Sequence, residues 1–595
     1  MRLTDSGATR DARTPSPQPK SDLSDLGHFR CRTRASPSSG GGGIPAIELE
    51  IIYSALVAAA AEMDVTVWRT SRSTIVRELL DYSTAIFDRN GWNVAQAARI
   101  PGHLNSMSHF LRAILERFVP AQEWGAGDVV ISNDPYTGGQ HLPDIAAFKA
   151  VFRAGRRIGF VGTLCHHLDV GGSAPGSYGS SATEIFQEGL RIPPVKLVRG
   201  GRIEEDLRAM ILQNVRQPDI LWGDLQSQLA SLDVGAAGID RLADRLGEGR
   251  IEPAMAALQD ASEGAMRDLI GSIPDGTYSF EDDIDGDGLG PDPIHLHADV
   301  IVSGDEMTVD LSGCSKQALG PTNATLASTS SAVFYVLMAI ASARAPIAAN
   351  AGCYRPVRIV VPPGLVVSAQ YPAPVVHRVL ITHRLATVLF GALHQAVPKL
   401  VPAAYYAQSY VITLQTIDPD RARQVLVEIE VGGCGALAHS DGASAQAFGM
   451  HNNSNIPIEM IEQELPLTFT GYGLRDDSGG AGRKRGGLGL WREWRIDSAQ
   501  AQLTTNLDRF RFPPFGLSGG QPGALSALYL VRDGERRALP SKITNMMLRK
   551  GDIIRLETSG GGGYGEAKAR SRAEVARDLR LRYVSAGAAA RSYGP

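Results

Sequence analysis

Apolar positions along the chain recur with two periods, and the change from one to the other marks its elements. The stretch "AIELEIIYSALVAAAAEM", beginning at Ala46, is apolar and alanine-rich and predicts a helix. In "SMSHFLRAILERF", Met107, Phe110, Leu111, Ile114, Leu115 and Phe118 recur at helical spacing and predict another. Between the two, "DYSTAIFDRNGWNVAQA" reads as a pair of strands around an Asn90-Gly91 hairpin turn. "DVVISNDPY" predicts a short buried strand, and "AAFKAVFRAGRRIGFVGTLCHHLDVGG" predicts strand, turn and strand. A helical region runs from about Glu204 to Gly271, with leucines at helical spacing in "LWGDLQSQLASLDV". Strand patterns then dominate in "GTYSFEDDIDGDG", "HLHADVIVSG" and "MTVDLSG", interrupted by the apolar helices "SAVFYVLMAIASA" and "HRLATVLFGALHQAV". Beyond about residue 420 the chain reads as short strands with glycine-rich turns. The fold class expected is α+β, with mixed β-sheets and helices packed on their faces.

Residues 1–44 are rich in Ser, Pro, Arg and Gly and have no hydrophobic period, so a disordered N-terminal extension is expected there. A chain of 595 residues exceeds one ordinary core. The pattern divides it into an N-terminal lobe of about 45–275 and a β-rich C-terminal lobe of about 276–595. The net charge of −4, from 59 basic and 63 acidic residues, offers no electrostatic case for nucleic acid or an anionic membrane. No apolar run is read as approaching the ~20 residues that span a bilayer, and the N-terminus has no apolar segment of signal-peptide type. The five cysteines, Cys31, Cys165, Cys314, Cys353 and Cys434, are scattered without a C-x-x-C pair. That spacing argues against a disulfide framework or a thiolate zinc site and points to a reducing cytoplasm.

The densest chemistry lies in "SNDPYTGGQHLPD", Ser132 to Asp144, and in "CHHLDVGG". His141 and Asp144 are separated by Leu142 and Pro143, which places them on a loop. A strand hairpin then leads to His166, His167 and Asp169. Imidazole and carboxylate are the usual ligands of zinc, manganese and iron, and two segments joined by a hairpin can meet at one point. A polar loop cluster with satisfied hydrogen bonds is the alternative that spacing leaves open. "DDIDGDGLGPDPI" mimics the start of a calcium loop, but Ile294 stands where the bidentate glutamate belongs, so a turn with solvated carboxylates is expected. "SGGGGYG" contains G-x-G-x-x-G at Gly560, Gly562 and Gly565 with too little chain after it for a dinucleotide fold, and reads as a tight turn. Arg483, Lys484 and Arg485 in "DSGGAGRKRGGLG" could meet an anion, line a subunit interface or stay solvated. The chain has no G-x-x-x-x-G-K-[ST] phosphate loop and no G-x-S-x-G elbow.

Taken together, "SNDPYTGGQHLPD", "CHHLDVGG" and "PGSYGSSATEIFQEGLRIPPVKL" resemble the hydantoinase B family. The resemblance runs from about residue 46 to 595 through "VWRTSRSTIVRELLDYSTAIFD", "ARIPGHLNSM", "VDLSGCSKQALGPTN", "GCYRPVRIVVPPG" and the closing "SYGP". It implies a multi-lobed fold whose N-terminal lobe binds metal. It implies a division of labour in which a hydantoinase A-type partner binds ATP and phosphorylates the substrate carbonyl. The B subunit then completes ring opening of a cyclic amide (a hydantoin, N-methylhydantoin, 5-oxoproline or lactam-like ring) at a divalent zinc, manganese or iron. Carried over by position, the resemblance implies His141, Asp144 and His166 as ligands. It implies Asp169 as a further ligand or a partner orienting an imidazole, ranks His167 lower, and places His103 and Asp134 in the catalytic pocket. Asn105 departs from the glycine common at its place in the family. Subunits of ATP-dependent ketone carboxylases resemble the chain too, and that activity and a non-catalytic scaffold role are the alternatives. The length and "PAPVVHRVLITHRL" look more like hydantoinase B.

Overall fold

The computed structural model describes residues 44–247, 249–344 and 346–594, so the extension expected over residues 1–44 lies, apart from Ile44, outside the described residues. The first sheet holds seven strands: β1 (Tyr82–Asp88), β2 (Asn93–Gln96), β3 (Val129–Ser132), β4 (Asp144–Arg153), β5 (Arg156–His166), β6 (Val195–Arg199) and β7 (Arg202–Ile203). Their order is β2-β1-β5-β4-β3-β6-β7, and every neighbouring pair is antiparallel. Asn90-Gly91 makes the expected turn between β1 and β2, with Gly91 at φ 85°. Both faces of this sheet are covered. Ile86, Ile145, Ala147 and Val161 pack toward Leu56, Ala60 and Met63 of the helix Ala46–Thr70 and Leu225 and Leu232 of the helix Pro218–Leu246. Phe87, Ala146, Phe148 and Leu164 face Met107, Phe110 and Ile114 of the helix Pro101–Arg117. Burial on both sides explains why β4 and β5 read as nearly continuous apolar runs.

Downstream, Gly276–Ile284, Ile294–Ser303, Glu306–Asp310 and Val357–Val360 form a four-stranded sheet. Its last pair is parallel, and the helices Leu326–Arg344 and Arg378–His394 share its core. A four-stranded and a five-stranded antiparallel sheet complete the α+β architecture, built from residues 410–557. The core between these two sheets also takes in Val67, Ile75, Tyr82 and Cys165, so apolar packing crosses the boundary expected near residue 275.

The expectation about apolar runs is corrected: Ala46–Thr70 and Leu326–Arg344 are long and apolar enough to cross a bilayer by length and composition. The second packs between Pro101–Arg117 and Arg378–His394, burying Val333, Val336, Leu337 and Ile340. Two carboxylates of the calcium-loop mimic, Asp285 and Asp287, staple backbone, whereas Asp283 pairs with His295 and is partly exposed. Asp285 accepts Phe510 N at 2.7 Å and Arg511 N at 3.0 Å, and Asp287 accepts Leu289 N at 2.8 Å and Gly320 N at 2.9 Å. The basic triplet is tied within the chain. Lys484 pairs with Glu574 at 2.7 Å, buried Arg485 lies 3.4 Å from Asp578, and Arg483 donates to Ala438 O at 2.7 Å.

"SGGGGYG" is not a tight turn. Of its glycines only Gly565 has a positive φ, and the run packs backbone against backbone. Gly561 N donates to Gly487 O at 2.9 Å, Gly480 N to Gly561 O at 2.8 Å, and Ala436 N to Gly562 O at 2.9 Å. A Cβ on Gly561 would collide with the backbone carbonyl of Cys434. Glycine is therefore required by close approach rather than by φ. Gly561→Ala should destabilise by at least the ~1–3 kcal/mol of ordinary overpacking. Gly264→Ala is the control, since a Cβ there meets nothing within 4 Å in the helix Ile251–Ile270. Thermal unfolding of the two variants checks this, and equal midpoints would refute the packing argument.

Candidate metal centre

The site is built where β4 begins and β5 ends, because the register pairs Asp144 with His166. The loop before β4 is braced so that His141 joins them. Asp144 N donates to His141 O at 3.0 Å. The Asn133 amide donates to Leu142 O at 2.6 Å and Leu190 O at 2.9 Å, and its carbonyl accepts Ile192 N at 2.6 Å. The result is a buried triangle. His141 Nε2 lies 3.1 Å from Asp144 Oδ1 and 3.0 Å from His166 Nδ1, and His166 Nδ1 lies 2.9 Å from the same carboxylate oxygen.

The three contacts cannot all be hydrogen bonds: each nitrogen carries at most one proton, and if both donate to the carboxylate oxygen the two N–H groups crowd each other across the 3.0 Å N···N contact. One central cation satisfies the three at once. Donors in adjacent positions around a six-coordinate ion, each ~2.1 Å from it, lie ~3.0 Å apart, which is the spacing of this triangle. The donor set therefore fits a divalent ion, and two histidines with one carboxylate suit zinc, manganese or iron.

The second oxygen of Asp144 is committed elsewhere. Arg378 Nη2 lies 2.8 Å from Oδ2, and His103 Nε2 lies 3.5 Å from Oδ2 and 3.7 Å from Asp81. Burial alone would raise the Asp144 carboxyl, but His141, Arg378 and His103 outweigh it and hold it well below the usual carboxylate range. Burial and the nearby Arg378 cation keep the His141 imidazole neutral, well below its ordinary value. Tyr178 stacks on His166 with ring centroids 5.8 Å apart. His166 borders a cavity of ≈ 40 Å³, which Asp81, His103, Arg378, His383 and His451 also line. That is room for roughly three waters.

Of the residues expected at the site, His141, Asp144 and His166 converge and His103 stands beside them. Asp134 and Asp169 do not join the cluster, because backbone groups take up their carboxylates. Asp134 accepts Tyr136 N at 3.0 Å and the Thr137 hydroxyl at 3.2 Å. Asp169 accepts Gly171 N at 2.8 Å, Gly176 N at 2.9 Å and Arg216 Nη1 at 2.9 Å, which makes it the brace of its own loop. His167 alternates to the other face of the chain and meets Gln228 at 3.2 Å. Sequence reasoning missed Arg378, Asp81, Gln140, His383 and His451. The two His-Arg pairs in "HRVLITHRL" were a visible signal, but no spacing ties them to residues more than 200 positions earlier.

Arg378 is itself held from behind. It opens the helix Arg378–His394, and the preceding turn is fastened by buried Glu188, whose Oε1 accepts Val376 N at 2.8 Å. Burial pushes the Glu188 carboxyl up to about 8.

The family model described as Hydantoinase B/oxoprolinase matches residues 45–567. The β subunit of caprolactamase from Pseudomonas jessenii is 32% identical over 565 residues, covering 92% of this chain and 95% of that one. The crystal structure of the ATP-dependent caprolactamase from the same organism superposes with a TM-score of 0.85 at 30% identity, over 93% of this chain and 96% of that one. 5-Oxoprolinase 1 of Arabidopsis thaliana is 31% identical over 92% of this chain, which spans 44% of that longer protein. Nucleotide-free acetone carboxylase shares the fold, with a TM-score of 0.85 at 19% identity over 92% of this chain and 79% of that one.

The Glu188 support is testable through pH. Between its ordinary 4.5 and about 8, the folded chain binds a proton that the unfolded chain has lost. The contribution is therefore fully present below pH 4.5 and is lost as pH rises through about 8. Glu188→Gln should flatten the fall in stability across that window, read from urea midpoints at about pH 5 and about pH 9. An unchanged pH dependence would show that Glu188 is not the buried titrating group.

Proposed function

The chain belongs to the hydantoinase B/oxoprolinase family, and from that premise we propose that it is the B-type subunit of an ATP-dependent cyclic-amide hydrolase. Its substrate is a hydantoin, N-methylhydantoin, 5-oxoproline or lactam-like ring. The observation that carries the reading is the buried convergence of His141 Nε2, Asp144 Oδ1 and His166 Nδ1 within 3.1 Å of one another, beside a small cavity that His166 lines. Relatives named for caprolactam and for 5-oxoproline support the substrate class, since both are cyclic amides. The designation of the caprolactamase chain as a β subunit supports a partner. In this reading a hydantoinase A-type subunit binds ATP and phosphorylates the ring carbonyl oxygen, and the two form a hetero-oligomer. Four described cysteines, all buried thiols, accord with a reducing cytoplasm.

An amide carbonyl resists attack because nitrogen donates electron density into it. Phosphorylation of its oxygen weakens that donation, so that one water can add to the carbon; breaking the C–N bond then leaves an acyl phosphate, and a second water releases phosphate and the open-chain carboxylate. His141, Asp144 and His166 would hold the divalent ion, which when bound supplies Lewis acidity able to bring the pKa of water down toward ~7. Arg378 balances the Asp144 charge and engages Oδ2, which leaves Oδ1 directed at the two imidazoles. Ring opening expels a nitrogen that needs a proton. His103 Nε2, between Asp144 and Asp81 on the cavity wall, is placed to carry one. Asp134 and Asp169 act on this site only through the loops they brace.

The test is purification with an A-type partner and assay against hydantoins, 5-oxoproline and lactams with ATP. ATP-dependent ring opening is expected. His141→Ala should reduce it by more than the roughly 10–100-fold typical of changes outside the ligand set, with loss of the bound ion by elemental analysis. Full activity in that variant would remove the metal role. Bicarbonate-dependent ATP consumption with a ketone would establish the carboxylase alternative instead. A folded complex with neither activity nor metal would leave a scaffold.

A further inference from the structure

A second group of metal-ligating side chains lies on another sheet, away from the cavity. The strands Gly276–Ile284 and Ile294–Ser303 pair with Asp283 opposite His295, Glu281 opposite His297 and Ser279 opposite Asp299. Period-two alternation sends Ile294, Leu296 and Ala298 into the core and leaves His295, His297 and Asp299 on the outer face. Like charges opposed on a sheet destabilise it, yet this face gathers Glu281, Asp283 and Asp299 around two imidazoles.

The hydrogen bonds decide which nitrogens are free. His295 Nδ1 lies 3.0 Å from Asp283 Oδ1, and His297 Nε2 lies 3.2 Å from Asp299 Oδ1. An ionised carboxylate only accepts, so each of those nitrogens carries the ring proton. In the neutral rings, His295 Nε2 and His297 Nδ1 are then left as lone pairs. Both face one oxygen: Glu281 Oε2 lies 3.6 Å from the first and 3.8 Å from the second. Three electron-pair donors thus converge with no proton among them, on a face carrying three negative charges. A histidine whose far nitrogen is held by a carboxylate is the arrangement that orients imidazole ligands at metal centres. Ring orientation is restricted as well. The two rings stack at 6.5 Å, and Gly313 packs so closely on His297 that a Cβ there would lie 2.7 Å from Cδ2.

We propose that Glu281, His295 and His297 form a second transition-metal site, of the zinc class, which ties these two strands together and neutralises the carboxylates around it. Two nitrogens and one carboxylate oxygen suit zinc, and an open fourth position faces solvent, because Glu281 is 68% exposed. The ion here exchanges with solution, unlike one held by the buried triangle. The proposal is independent of the reaction assigned to the chain.

The experiment is zinc binding to the full-length chain, stripped with a chelator and brought to equilibrium by dialysis against zinc sulfate. The wild type should hold one equivalent more than His295→Gln/His297→Gln, whatever the buried triangle retains. His141→Ala should keep that additional equivalent. Equal zinc content in wild type and the double variant would overturn the site and leave two imidazoles paired only with carboxylates. If the double variant does not fold, Glu281→Gln is measured in its place, with at least a tenfold weaker affinity expected for one equivalent and an unchanged affinity overturning the proposal. Zinc-edge anomalous scattering from wild-type crystals soaked in zinc should show a peak between Glu281, His295 and His297, and its absence would also overturn it.

Discussion

One buried carboxylate organises the centre of this protein. Asp144 is fully buried, and an unpaired charge there would cost several kcal/mol. It is ionised because Arg378 binds one of its oxygens while two imidazoles approach the other. Those partners come from different parts of the chain. His141 is set by the loop that Asn133 clamps, His166 by the β4–β5 register, and Arg378 by the start of a helix that Glu188 fastens. Each brace has a polar group that would lose its partner if the others moved.

The same constraint carries contacts across the expected division near residue 275. Arg378 must reach Asp144 from the second half of the chain. Helix Leu326–Arg344 accordingly packs between Pro101–Arg117 and Arg378–His394. The apolar cluster between the two C-terminal sheets draws in Val67, Ile75 and Tyr82. A rigid docking of the halves follows from buried apolar area, and the Arg378–Asp144 pair, which spans that seam, needs such rigidity. Within the C-terminal half, the glycine-packed region around Gly433, Gly487 and Gly561 brings backbones closer than any side chain permits.

Much of this was legible in the residue pattern. The hairpin at Asn90-Gly91, the β4–β5 pair and the apolar helices follow from local periodicity, which the structure retains because both faces of the first sheet are buried. His141, Asp144 and His166 were within reach because a single hairpin joins their segments. Asp134 and Asp169 were equally plausible by residue type, and nothing in the spacing distinguishes a carboxylate that caps a loop from one that faces a ligand. That distinction rests on the backbone N–H groups that Asp169 meets at Gly171 and Gly176. The glycine run near Gly561 misled in the same way, since a glycine needed for close approach and one needed for positive φ look alike in a sequence.

By itself, then, the sequence determined the element types, the α+β class, the family resemblance and the ligand candidates that lie within one hairpin of each other. Periodicity and turn chemistry are local, and local rules act over a few residues. Only the tertiary structure decided that Arg378, Asp81, His383 and His451 share a cavity with His166, and that Glu281 reads His295 and His297 across a strand pair. Those contacts join residues distant in the chain and are set by how buried faces pack, a cooperative outcome that no short window of residues contains.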